Sequence, residues 1–181
     1  GGSDGLSMAA RSYSRGTILD CRSHTLSEAP CLRVGLRLFS ASVVDGKIYV
    51  AGSGLKNPCQ VLDTKAQVWD LLPSCETDFL FFQKTASIEG KFHVVTTANE
   101  LVAYDPKEGK WDAVGRRVGW YMNLGACCEI GNVLYAASAS ASASASAYAS
   151  VEGVFSWYDT VEGVWRNVTG LVGLRKSYQT R

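Results

Sequence analysis

Residues 101–112 read LVAYDPKEGKWD: an apolar strand ending in an aspartate, then a charged turn and a tryptophan six residues after the aspartate. The same order returns as QVLDTKAQVWD from Gln60 and as FSWYDTVEGVWRN from Phe155. The pairs that share this six-residue spacing are Asp63/Trp69, Asp105/Trp111 and Asp159/Trp165. A signal that recurs at fixed internal spacing predicts a repeat architecture.

A second signal recurs between copies of the first, an apolar strand, a tight glycine turn and another apolar strand. It reads FSASVVDGKIYVAG from Phe39, KTASIEGKFHVVTT from Lys84 and GACCEIGNVLYAAS from Gly125. The turn glycines Gly46, Gly90 and Gly131 lie 44 and 41 residues apart. Short strands rich in Val, Ile, Phe and Tyr that alternate with Gly or Asp turns are typical of β-hairpins.

Both signals together predict four antiparallel strands in each unit of about 42 residues. A fourth, degenerate unit is TILDCRSHTLSEAP from Thr17, in which Leu26 stands six residues after Asp20 in place of tryptophan. A four-stranded sheet cannot bury both faces alone, so the units must stack as blades. The recurring tryptophan is expected to fill the space between neighbouring sheets.

These units resemble the kelch repeat, whose pattern has a Gly-Gly doublet after the second strand, then a Tyr and a Trp. Gly1-Gly2 is similar to that doublet, Gly52 keeps one of its glycines, and Tyr104 and Tyr158 keep the tyrosine. The phrases LDCRSHT, VDGKIYVAGS and AYDPKEGKWD are most similar to the kelch region of plant F-box/kelch-repeat proteins. The resemblance implies an all-β, kelch-type β-propeller, here incomplete, with about four blades of four antiparallel strands.

The repeat spacing divides the chain into a kelch-repeat region, residues 1–171, and a segment 172–181 that is a tail or the start of a further blade. The blades are expected at about 1–33 (partial), 34–75, 76–117 and 118–171. The last contains an Ala/Ser insertion at 138–150, which we interpret as a low-complexity or loose β-extension. The chain does not begin with Met, and its first two residues fit the middle of a repeat, so we expect a segment cut from a longer chain.

Composition argues against several partners. The formal net charge is +1, which gives no overall attraction to nucleic acid or to an anionic membrane. No apolar run approaches the roughly 20 residues of a membrane-spanning helix. The six cysteines include no CxxC pair, so we predict no metal, no cofactor, and reduced thiols in a cytoplasmic and/or nuclear protein.

Catalytic candidates are few. Of the two histidines, His93 aligns with Tyr49 of a strand and His24 falls in a turn. The recurring aspartates are expected to cap the backbone amides of their turns. No nucleophile motif and no glycine-rich phosphate loop occurs. We therefore predict a protein that is not an enzyme.

Partner binding is expected where the connections vary in length, between the second and third strands of a blade and between blades, because variable loops on a rigid scaffold usually carry recognition. Arginine and aromatic residues, which are favoured in interfaces, occur there. The candidate partner-binding residues are Arg33, Arg37, Asp78, Phe79, Arg116, Arg117, Trp120 and Tyr121.

The leading hypothesis is a protein-protein interaction module. The resemblance implies the substrate-recognition kelch region of an F-box (SCF-type) E3 ubiquitin ligase receptor, which would bind a Skp1-like adaptor only through an F-box absent from these residues. Two alternatives stay open: a kelch-type metal-dependent or oxidase-like enzyme or specifier protein, and a truncated fragment without function.

Overall fold

The computed structural model describes residues 14–53, 59–75, 82–96, 100–115, 122, 126–131, 133–137 and 155–169. These residues contain fourteen β-strands. Blade one has two antiparallel strands in the described part of the chain, β1 (Thr17–Asp20) and β2 (Thr25–Glu28).

The next three blades are four-stranded antiparallel sheets whose strands follow one another in chain order. Blade two comprises β3 (Arg37–Val44), β4 (Lys47–Ser53), β5 (Cys59–Asp63) and β6 (Val68–Leu71). Blade three comprises β7 (Phe82–Ile88), β8 (Lys91–Thr96), β9 (Leu101–Asp105) and β10 (Lys110–Gly115). Blade four comprises β11 (Ala126–Ile130), β12 (Val133–Ala137), β13 (Phe155–Asp159) and β14 (Val164–Asn167).

The first turn of each four-stranded blade has two residues. In blade two Val44 pairs with Lys47, and the turn residues Asp45 and Gly46 have φ angles of 48° and 74°. Positive φ at both positions is the type I′ geometry that matches the twist of a hairpin. In blade four Ile130 pairs with Val133, so Gly131 is the first residue of its turn, whereas Gly46 and Gly90 are second in theirs.

The second turn of each blade is closed by its aspartate. Asp63 Oδ1 accepts hydrogen bonds from the backbone N–H groups of Lys65 and Ala66, both at 3.0 Å. Its main-chain carbonyl accepts one from Gln67 at 2.8 Å. Carboxylates at the same position close the other three blades in the same way: Asp20, Asp105 and Asp159. The repeat therefore places an Asx-type cap at a fixed point of every blade.

The tryptophans of blades two and three join each blade to the one before it. Trp69 lies opposite Leu62 across β5 and β6, and its Nε1 donates a hydrogen bond to the carbonyl of Pro30 at 3.0 Å. Trp111 Nε1 donates likewise to the carbonyl of Pro73 at 2.8 Å. Each proline lies four residues after the Trp or Leu position of the preceding blade. Each indole ring thus fills the gap between two blades, and its N–H group fixes how the two blades are aligned.

Trp165 of blade four departs from this pattern in one respect. Its ring lies opposite Tyr158 across β13 and β14, with ring centroids 5.5 Å apart, and it is partly buried against the apolar cluster between blades three and four. The expected packing role is therefore confirmed. The residue four positions after Trp111, however, is Gly115 rather than proline, so the proline-carbonyl bond of Trp69 and Trp111 is not a property of every repeat.

The core lies between the blades. Tyr49 of blade two and Phe92 of blade three have ring centroids 5.2 Å apart, and Phe92 is fully buried. Between blades three and four the buried contacts are made by Ile88, Leu101 and Leu134 together with neighbouring side chains. Burial of this apolar area is the main force that holds the blades together.

The first strands of successive blades lie side by side. Ser40 and Ser42 of β3 both contact the Thr85 hydroxyl of β7 at 2.9 Å. The backbone N–H of Ser87 in β7 donates to Glu129 of β11 at 3.1 Å. This radial arrangement, with one two-stranded and three four-stranded sheets among the described residues, confirms the predicted incomplete kelch-type propeller. The Ala/Ser insertion at 138–150 and the segment 172–181 lie outside the described residues.

Candidate partner-binding rim

The two rims of the blades are built differently. On one, which we call the turn rim, the two kinds of turn contact each other: Thr64 Oγ1 donates to the carbonyl of Gly46 at 2.7 Å. Lys91 and Asp105 form an ion pair at 3.0 Å on the same rim. Hydrogen bonds from Lys91 and from the turn backbone hold the pKa of the Asp105 carboxyl below its usual range. The turn rim therefore uses much of its polar surface for internal contacts.

The opposite rim, the loop rim, contains the crossing from blade one to blade two, residues 29–36. Gln60 of β5, whose side chain is fully buried, fixes this crossing. Its Oε1 accepts hydrogen bonds from the N–H groups of Arg33 at 2.8 Å and Val34 at 3.2 Å. Its Nε2 donates to the carbonyl of Val34 at 2.8 Å. The Gln60 amide thus uses both its oxygen and its NH2 group to hold the crossing against blade two.

The Arg33 side chain bonds to blade two and is also partly exposed to water. Its Nε donates to the main-chain carbonyl of Trp69, and its guanidinium pairs with Asp70 at 3.3 Å. The side chains of Arg33 and Asp70 remain 54% and 69% exposed. A pair so open to water adds little to stability. The predicted site residue Arg33 therefore lies on the loop rim with its charge already opposed by a carboxylate.

Arg37 begins β3 at the loop rim and is followed by a β-bulge. Pairing with β4 shifts between Arg37 and Ser40. Leu38, inside the bulge, has a φ of 41° and is 83% exposed, and Phe39 is 55% exposed. Left-handed backbone is unfavourable for a residue such as leucine, and bulges commonly re-aim side chains near functional sites. The bulge presents one cation and two apolar side chains together.

Two residues of β4 support this bulge from behind. A Cβ on Gly52 would lie 3.0 Å from both the carbonyl oxygen of Arg37 and the Cβ of Phe39. The Ser53 hydroxyl donates to the carbonyl of Arg37 at 3.0 Å. Gly52, the glycine retained from the kelch pattern, is therefore required by close backbone approach.

Six predicted partner-binding residues lie outside the described part of the chain: Asp78, Phe79, Arg116, Arg117, Trp120 and Tyr121. They stay predictions. Sequence reasoning did not find Gln60, Leu38 or Phe39. A Gln in an otherwise apolar strand and an Arg-Leu-Phe run at a strand start were the only signals of them in the sequence.

The described residues offer little for catalysis. His93 is buried in β8, its Nδ1 lies 3.1 Å from the carbonyl oxygen of Lys91, and burial lowers its pKa to about 4. Burial raises the pKa of the Cys59 thiol far above its usual range, which leaves it protonated and inert. Within the described ranges no three His, Cys, Asp or Glu side chains are grouped as metal ligands.

Comparison with known proteins identifies the family of this chain. Residues 4–181 match the family model described as FKB95, Kelch-repeats domain. The chain belongs to the kelch-repeat family. Its kelch sequence is 44% identical over 186 residues to an F-box/kelch-repeat protein of Arabidopsis thaliana, across 96% of this chain and 45% of the relative. A second F-box/kelch-repeat protein of the same plant is 36% identical over 180 residues, across 93% and 41% of the two chains.

The kelch chain spans less than half the length of these relatives. The family match and the F-box/kelch-repeat name of the relative favour a protein-interaction region over an enzyme. Among the described residues no helix is both long and apolar enough to cross a membrane.

Proposed function

We propose that this kelch region selects the protein substrates of an F-box (SCF-type) ubiquitin ligase receptor, as a non-catalytic adaptor. The F-box/kelch-repeat names of the Arabidopsis relatives support the receptor role. A Skp1-like adaptor would bind through an F-box outside these residues. Such a receptor would act in the cytoplasm, the nucleus or both.

The observation that carries the proposal is the bulge at the loop rim. Arg37, Leu38 and Phe39 are consecutive and exposed, the Ser53 hydroxyl donates to the carbonyl of Arg37, and β4 approaches their backbone closely at Gly52. A fixed backbone lowers the entropy cost of binding, and Arg beside apolar groups is a frequent interface composition. The matching partner surface would combine a carboxylate with an apolar side chain.

The test is affinity capture from plant extract treated with a proteasome inhibitor, quantified by mass spectrometry. Wild-type protein is compared with Arg37→Glu and with Arg116→Glu/Arg117→Glu, which reverse charge at the predicted loop-rim positions. We expect at least one ubiquitinated protein to be captured by the wild type and reduced about tenfold or more by a charge reversal, because an interface arginine can contribute about 2 kcal/mol or more.

Lys65→Glu is the matched control, since Lys65 lies in the exposed Asp63 turn of the turn rim. It should capture the same protein at the wild-type level. Circular dichroism checks that all variants keep the β-sheet spectrum. Capture that is lost equally in Lys65→Glu, or retained in both loop-rim variants, contradicts the proposal.

A further inference from the structure

Gln60 occupies a repeat position at which each four-stranded blade has a different residue. It is the second residue of the third strand, a place that Val102 takes in blade three and Ser156 in blade four. All three side chains are buried, with exposures of 0%, 3% and 7%. Val102 packs in the apolar cluster between blades two and three, and the Ser156 hydroxyl donates to Asn167 of its own blade. Among the described residues, this position bonds to a crossing in blade two alone.

The amide of Gln60 is costly to bury unless its polar atoms are paired. Three hydrogen bonds offset this cost, and all of them go to the main chain of Arg33 and Val34. A valine at the same place, as in blade three, needs no such partners, so the repeat fold does not itself require a polar side chain here. A buried polar group that departs from the repeat and is fully bonded to one segment indicates a specific role for that segment.

The crossing is also anchored on both sides of these bonds. Its start is held by an indole N–H that donates to the carbonyl of Pro30, and by the N–H of Leu32, which donates to a main-chain carbonyl at 2.8 Å. Its end is held by Leu36, which is fully buried. Between Leu32 and Leu36, the Gln60 amide fixes the main chain at Arg33 and the residue after it. The crossing is therefore held along its length, with the Arg33 side chain at the surface.

We propose that Gln60 is a positioning residue for partner binding, because it holds the main chain of Arg33 in one arrangement at the loop rim. This role rests on the proposed function of that rim. Gln60 is fully buried, so it acts through the crossing and does not touch the partner. A segment that is already fixed loses less entropy on binding, which strengthens binding without a new contact. The Arg37 carbonyl has its own bond from Ser53, so the loss of Gln60 acts first on Arg33.

Two substitutions remove the amide in different ways. Gln60→Val gives blade two the residue that blade three has at this position, and Gln60→Met keeps a long unbranched side chain. Hydrogen exchange followed by mass spectrometry on the full 181-residue chain reports the N–H groups of Arg33 and Val34, which lose their acceptor. We expect the peptide that contains them to exchange about tenfold faster in both variants. Peptides of blade four should keep the wild-type rate.

The second readout is capture from the plant extract treated with a proteasome inhibitor. Proteins whose capture depends on a loop-rim arginine should be captured about three- to tenfold less by both Gln60 variants. Ser156→Ala, the matched control, removes the polar group at the same position of blade four and should keep the wild-type exchange and capture. Ile88→Val lowers stability between blades three and four, away from the crossing. It should also keep wild-type capture at a temperature at which circular dichroism shows every variant folded.

Unchanged exchange in the Gln60 variants would overturn the positioning role, and so would faster exchange with unchanged capture. Both results leave the proposed function standing, because the wild type still captures its loop-rim-dependent protein. Capture that is lost equally in Ser156→Ala or Ile88→Val would also overturn the role, as would unfolding of both Gln60 variants, which would make Gln60 a requirement of the fold. A wild type that captures no such protein contradicts the proposed function, and the role of Gln60 in binding with it.

Discussion

The interface between blades two and three and the face of blade four that carries Ile130 and Phe155 are made by equivalent repeat positions, yet the first is closed and the second is open. At the closed interface Val44, Tyr49 and Phe92 are almost fully buried. At the open face Ile130 and Phe155 reach water. The same side-chain position therefore contributes to stability only when a neighbouring blade covers it. Stability in this family is a property of pairs of blades rather than of single blades.

The largest expected effect comes from truncating the same residue type at the same repeat position in two blades. Ile88→Ala should lower the free energy of unfolding by about 2–5 kcal/mol, because it leaves a cavity between blades three and four. Ile130→Ala should change it by less than about 0.5 kcal/mol in dilute protein, where the side chain is in water. Urea unfolding followed by circular dichroism measures both values. Equal losses in the two variants would contradict the exposure of Ile130.

A pH series sharpens the comparison between the two internal interfaces. His93 occupies, toward blade four, the position at which Tyr49 faces blade three. Burial lowers the His93 pKa from 6.5 to about 4. Between these values the unfolded chain binds the proton more readily, so stability is present above pH 6.5 and falls as pH drops toward 4. The loss is at most about 3 kcal/mol.

His93→Gln should flatten this part of the pH profile, measured as urea midpoints from about pH 7 to about pH 4.5. His24→Gln is the matched control, because it replaces a histidine in an exposed turn of blade one and keeps the buried His93 in place. The aspartate caps act in a separate range, because their lowered pKa values make them lose their contribution only below about pH 4. A slope that survives in His93→Gln would contradict the assignment.

Much of the fold could be predicted from sequence because its determinants are local. The Asp-to-Trp spacing fixes a turn and a cross-strand pair at once: Asp105 caps the turn while Trp111 lies opposite Tyr104. Aspartate and glycine turns are encoded within a few residues, so they are visible without the fold. Even there, the pairing of Ile130 with Val133 makes Gly131 the first residue of its turn, whereas Gly46 is the second residue of its own.

The tryptophan contacts show what the six-residue Asp-to-Trp spacing does not encode. The six-residue spacing predicted that the tryptophans pack between sheets, and Trp165 packs against the cluster between blades three and four. The structure adds that Trp165 lies opposite Tyr158 across its hairpin, as Trp111 lies opposite Tyr104. The bond that joins Trp111 to the previous blade is accepted by the main-chain carbonyl of Pro73, 38 residues earlier in the chain. A spacing within one hairpin carries no information about a carbonyl in the neighbouring blade, so this bond required the fold.

The candidate site was less predictable because it depends on contacts across the blade. Gln60 lies 27 residues after Arg33 and holds it only once β5 and the crossing are adjacent. Arg33 was correctly placed at a loop, but its bonds to Trp69 and Asp70 required the same folding. The bulge at Leu38 reflects the close approach of Gly52, which periodicity does not reveal.

The smallest expected effect concerns that close approach. Gly52→Ala would press a methyl group against the Arg37 carbonyl and should destabilise blade two by about 1–3 kcal/mol. Gly16→Ala is the matched control, since its Cβ would meet only Ala29 Cβ at an ordinary 3.5 Å. Thermal unfolding compares the two. A tolerated Gly52→Ala would mean that the bulge can move, which would weaken the case for a fixed binding surface.

The central claim is that a repeat position stabilises the fold only where a neighbouring blade covers it. The most direct test compares truncations at the first residue of the third strand in blades three and four, where Leu101 is 1% exposed and Phe155 is 36% exposed. The measurement is the free energy of unfolding in urea. We predict a loss of about 2–5 kcal/mol for Leu101→Ala and a clearly smaller loss for Phe155→Ala. An equal or larger loss for Phe155→Ala would contradict the claim.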